Sequence, residues 1–130
     1  MIAGTLIIWI SYLFFNSAKT FIEHDGIFTE RWMGPAKIFK NTLLAGAAGG
    51  LIAMIFKPLI VFQYNHVSKF DVLTLCNGVL VGLVSVSGSV DRIDTWAAFT
   101  IGGGGAIFYL SFARFLQDMH IDDVSEGTAV

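Results

Sequence analysis

The sixteen residues from Asn41 to Phe56, NTLLAGAAGGLIAMIF, carry no charge and include six consecutive small residues, Ala45 to Gly50. In water this is a poor helix, because Gly46, Gly49 and Gly50 each cost roughly 1 kcal/mol relative to alanine. In a bilayer the balance reverses. Each unpaired backbone group there costs several kcal/mol, so the chain closes its own hydrogen bonds as a helix despite its glycines. The small residues then have a use. Ala45, Gly49 and Ala53 follow one i, i+4 row and Gly46 and Gly50 the next, giving a flat stripe along which another helix can approach closely.

The rest of the chain supplies neighbours of the same kind. Its 130 residues are 55% hydrophobic and 14% charged, with a mean hydropathy of +0.69, where soluble domains carry about 25% charged residues. Four uncharged runs, Met1 to Ala18, Asn41 to Phe56, Val72 to Val90 and Thr95 to Ala113, each approach the ~20 residues that cross a ~30 Å hydrocarbon core. The predicted fold class is therefore all-α, a polytopic transmembrane helical bundle with spans near 2–18, 38–60, 72–90 and 95–113. The partner these runs imply is membrane lipid. A net charge of −2, with eight Lys and Arg dispersed along the chain, argues against nucleic acid. Cys76 is the single cysteine and can form no intramolecular disulfide. No nucleophile stands with a base and no metal set is present, so neither an enzyme nor a cofactor is expected.

Several local readings follow. The first run lacks a basic segment before it, which favours a transmembrane helix over a cleaved signal. Residues 23–35, EHDGIFTERWMGP, read as a water-exposed connection. Lys40 and Lys57 bracket the second span about 26 Å apart at the helical rise, and both are expected to snorkel to opposite interfaces. In the third span Thr74, Asn77, Gly78, Gly82, Ser85, Gly88 and Ser89 form a polar and small stripe that faces protein. Asn77 is read as interhelical glue, and Gly78 with Gly82 as a close-approach face. The tight Asp91 to Asp94 connection makes spans three and four antiparallel neighbours. Gly102 to Gly105 are read as helix packing, since no Lys-Ser/Thr follows to make a phosphate loop. Asp122, Asp123 and Glu126 are read as helix caps in preference to metal ligands.

Taken in order, these elements resemble the Amt/Mep/Rh ammonium transporter family. Leu6 to Asn16 looks like the family helix ending in a Gly-Phe-Asn type element. Asn41-Thr42 followed by Ala45 to Leu51 looks like its Asn-Thr and Ala/Gly-rich helix. Cys76 to Val84, CNGVLVGLV, looks like its Asn-Gly-x-x-x-Gly-Leu-Val helix, and Ile121-Asp122-Asp123 like its Asp-Asp linker. The resemblance covers nearly the whole chain as a partial ammonium transporter domain, helices six to nine of an eleven-helix fold built from two inverted repeats.

The resemblance implies an ammonium transmembrane transporter with ammonium or ammonia as substrate, a multi-pass plasma-membrane location and a homotrimeric assembly. Phe15 takes the gate position, with Tyr12 where the family has a tryptophan and Asn16 beside it. Lys19 falls at a vestibule position that binds the cation in the family. At ~6 Å and an effective dielectric of 20, two unit charges repel by roughly 3 kcal/mol, so a lysine there opposes ammonium. The family's two pore histidines have no counterpart: His24, His66 and His120 fall in connections, and Val130 precedes the second histidine position. Conduction is expected only in a fuller assembly. The alternative is a non-transporting membrane protein or subunit that packs with full-length relatives through its small-residue faces. Loop charges, five Lys and Arg against three, oppose the family orientation only weakly.

Overall fold

The computed structural model describes residues 1–22, 33–60 and 71–119. These form four α-helices with no strand among the described residues: α1 (Ile2–Ile22), α2 (Met33–Ile60), α3 (Val72–Ser87) and α4 (Thr95–Asp118). The helices depart from the expected span limits in both directions. Helix α1 continues through Lys19, α4 continues to Asp118, and α2 begins at Met33, so Met33 to Pro35 are helical and not part of a loop. Pro35 is tolerated because the first turn of a helix has no use for its missing N–H. Helix α3 stops short, at Ser87. Gly88 caps it and lies exposed, which takes the end of the expected polar stripe out of the protein interior. The readings at Glu23 to Trp32, which include His24, and at His66, His120 and Ile121 to Val130 lie outside the described residues.

Helix α2 is the element the others pack around. It contacts α1, α3 and α4, and among the described residues α1 touches α2 and α3 but not α4. Backbone meets backbone along the Ala45, Gly49, Ala53 row. The Ala45 carbonyl lies against both Gly82 of α3 and Gly102 of α4, and Gly49 lies against the Gly78 carbonyl. A methyl group on Gly78 would come 2.5 Å from the Ala53 Cβ. Such proximity requires glycine, because a side chain at any of these positions would have to displace main chain.

The distribution of polarity is inverted relative to a water-soluble bundle. The most buried side chains include Asn16, Asn41, Thr42 and Thr74, whereas Ile7, Phe14, Leu59, Trp96 and Phe108 are exposed. In water this arrangement would leave large apolar surface wet; against hydrocarbon it is the stable one. Two segments are long and apolar enough to cross a membrane, Gly34–Leu59 and Thr95–Leu116. The other two apolar segments, Ile2–Ala18 and Val72–Ser87, are shorter.

Polar side chains fix the ends of the bundle. Asn41, fully buried, donates its amide N–H groups to the carbonyl oxygens of Val90 (3.3 Å) and Ile93 (3.1 Å). It thereby closes the α3–α4 turn onto α2. At the other end Lys57 Nζ lies 2.7 Å from Asp71 Oδ2 and also donates to Thr74 Oγ1. Its side chain is only 14% exposed, so it is held by protein and does not snorkel freely to an interface as expected.

Asp71 also caps α3, accepting from the Leu73 N–H at 3.0 Å. Burial raises its carboxyl pKa, but the Lys57 hydrogen bond, the Leu73 N–H, the Lys57 charge and the Thr74 hydroxyl together hold it below the ordinary value. A depressed folded pKa means that the stabilisation is present above the unfolded carboxylate pKa of about 3.9 and is lost as pH falls through the folded value. The protein is therefore expected to keep this contribution at neutral pH and to lose it below about pH 4. Thermal unfolding of purified wild type and Asp71→Asn across that range checks this: the difference between them should shrink on acidification.

Candidate functional site: a polar tie behind an aromatic pair

Helix α1 has two unlike faces. Thr5, Leu13 and Asn16 are buried and Trp9 is half-buried, a spacing of three to four residues that marks the side turned toward the bundle. Successive residues on a helix are about 100° apart, so Phe14 and Phe15 fall outside that face, at 68% and 60% exposure. The Tyr12 ring meets Phe15 edge-on, with centroids 6.1 Å apart at 65°. The edge of one ring then faces the electron-rich face of the other, an arrangement that favours a fixed mutual orientation.

Asn16 is fully buried behind this pair. Its Nδ2 donates to Thr42 Oγ1 of α2 (3.2 Å) and to Ser87 Oγ of α3 (3.4 Å). One side chain thus joins three helices across sequence separations of 26 and 71 residues. The Ser87 hydroxyl in turn donates to the Leu83 carbonyl at 2.7 Å. The groups described in the tie are amides and hydroxyls, which carry no charge and hold geometry.

The structure brings Tyr12 and Phe15 together and turns Asn16, about 100° round the helix from Phe15, into the helix junction. Lys19 lies within α1, four residues after Phe15; its side chain lies outside the described set. Gly46 packs against side chains, with the Trp9 indole and Leu83 each 3.0 Å from the position a Cβ would take. Gly50 faces Val79 and Leu75. Gly78 and Gly82 meet the α2 backbone, and Asn77 donates to Tyr109 OH at 3.3 Å, joining α3 to α4. Tyr109 is 1% exposed and sits among Val81, Leu110 and Ala113.

Sequence reasoning gave no role to Asn41 as a turn clamp, to the Lys57–Asp71 pair, or to Tyr109. Asp71 immediately before an apolar run was a usable cap signal. Tyr109 inside an apolar run offered none.

A helical bundle with an apolar exterior, buried amide and hydroxyl ties, and glycine-mediated backbone contact has the construction of an integral membrane protein. The sequence comparisons then make the assignment specific. The chain belongs to the ammonium transporter family: the Ammonium Transporter Family profile matches residues 1–130. It is 31% identical to ammonium transporter Amt1 of Haloferax mediterranei over 99% of its own length and 25% of that protein's. It is 25% identical to ammonium transporter 1 member 1 of Arabidopsis thaliana, covering 98% of this chain and 25% of the relative. Against ammonium transporter Amt2 of Archaeoglobus fulgidus the identity is 29%, over 95% of this chain and 24% of the relative. The chain thus spans about a quarter of the length of the curated relatives it matches. No solved structure matches it.

Proposed function

We propose that this chain forms part of an ammonium conduction path in a multi-pass plasma-membrane protein, with all four helices crossing the bilayer. The observation that carries the reading is the match to the ammonium transporter family across residues 1–130. Phe15, supported by Tyr12, shapes the entrance, and α2 to α4 form scaffold and wall. Selection in such a path is by desolvation: a bare cation in hydrocarbon is expensive. Aromatic faces can replace part of the lost hydration, and loss of a proton removes the charge altogether.

The path is completed by further helices, from the same polypeptide, from a full-length relative or from copies arranged as a trimer. Expressed by itself in cells that lack ammonium transporters, the chain is expected to give no ammonium uptake above an empty-vector control. Uptake by the chain alone would contradict the dependence on further helices.

A second reading, a non-transporting subunit, is favoured by Lys19, whose charge in α1 four residues from Phe15 opposes a cation at the entrance. Under that reading Lys19→Ser leaves uptake at background in any assembly. Under the transport reading Lys19→Ser raises uptake of the completed assembly, measured with labelled methylammonium.

A further inference from the structure

We infer that Asn16 is a positioning residue: its amide sets the rotation of α1 about its own axis and thereby the direction in which Phe15 is presented. Three observations carry this. The Asn16 side chain is fully buried, it donates to one hydroxyl on α2 and another on α3, and the neighbouring Phe15 ring is 60% exposed and braced by Tyr12. A helix is a stiff rod, so clamping residue 16 onto two other helices fixes residue 15 about 100° away.

Two described packing contacts of α1, at Leu13 and Trp9, do not set rotation as sharply. Leu13 is apolar, and dispersion contacts between an apolar helix face and its neighbours are non-directional. Trp9 lies over Gly46, where the surface of α2 is flat. A hydrogen bond, by contrast, prefers an angle above about 150° and weakens steeply below about 120°. In hydrocarbon, the amide has few other partners to turn to. The tie therefore supplies the angular restraint that packing leaves soft.

The part of this inference that concerns gating rests on the proposed function, but the rotation itself can be read without any transport assay. Single cysteines replace Phe15 or Leu13 in the full chain, reconstituted in phosphatidylcholine vesicles, and are labelled with a lipid-permeant maleimide. Cys76 is buried, which keeps the background low. With Asn16 intact, Phe15→Cys reacts much faster than Leu13→Cys. In the Asn16→Leu background the ratio of the two rates falls by about tenfold, the factor that loss of one buried and one part-buried hydrogen bond implies.

Thr42→Val and Ser87→Ala, which remove one acceptor each, lower the ratio in the same direction. Either substitution combined with Asn16→Leu adds little, because both act on the same hydrogen bonds. Thr42→Val and Ser87→Ala are mild enough to keep the fold if Asn16→Leu does not, so the inference stays testable through them. An unchanged ratio in folded Thr42→Val and Ser87→Ala protein would overturn the inference whatever the transport assays give. A shifted ratio with no transport in any assembly would uphold it and count against the ammonium reading.

Discussion

Replacing Gly82 or Gly102 by alanine is expected to cost the bundle about 1–3 kcal/mol or more, the range seen when an atom is forced into a filled core. Alanine at Gly104 is expected to cost nothing measurable. The three substitutions add the same single methyl group, and what differs is what it meets. At Gly82 and at Gly102 the nearest atom is the Ala45 carbonyl oxygen, part of the α2 main chain. A flexible side chain could swing aside, but a helix backbone moves only as a whole. The methyl therefore pushes α3 or α4 away from α2 and loosens packing along the entire seam. At Gly104, two residues from Gly102 in the same run, no atom lies within 4 Å of the added carbon. Thermal stability of the purified variants in mild detergent, read as the temperature of monodispersity loss, checks the contrast. A destabilised Gly104→Ala with an unaffected Gly102→Ala would mean that the face of α4 turned toward α2 is misassigned.

The second large effect concerns the pair at the opposite end of the bundle. Lys57→Met is expected to destabilise by about 2 kcal/mol, since it leaves the Asp71 carboxylate, itself 29% exposed, without its cation. Adding Asp71→Asn should recover much of that loss. Asparagine keeps the capping oxygen for the Leu73 N–H, as asparagine is a good N-cap, and removes the uncompensated charge. The double variant should thus be more stable than Lys57→Met alone, a non-additivity that is the signature of direct contact. Additive losses would mean that the two side chains do not meet in the folded protein.

How far these features could be read in advance varies with the physics behind them. The stripe from Ala45 to Ala53 was legible because glycine in an apolar helix has few uses other than close approach. Helix identity was equally plain, since uncharged runs of this length have few alternatives in a membrane. Helix ends were less so. Hydrogen bonding does not stop where hydrophobicity does, and α1, α2 and α4 each run beyond the apolar stretch that announced them.

Within the candidate site, Phe15, Tyr12 and Asn16 were picked out by resemblance to a family motif. That resemblance does not say which way each residue points. The angle between Phe15 and Asn16 follows from the helix, but which of the two turns inward depended on hydroxyls at Thr42 and Ser87, residues far away in sequence. Lys57 illustrates the same limit. A lysine at a span end is read as a free, snorkelling charge unless its acceptor is known, and here the acceptor lies across the α2–α3 connection.

The most direct test of the account is transport by a chimera in which residues 1–130 replace the aligned quarter of the Haloferax ammonium transporter, in cells that lack ammonium uptake. The predicted result is labelled methylammonium uptake above background that rises with Lys19→Ser. A chimera that inserts, purifies as a single species and still shows no uptake, with or without that substitution, would contradict the claim that these helices form part of an ammonium path.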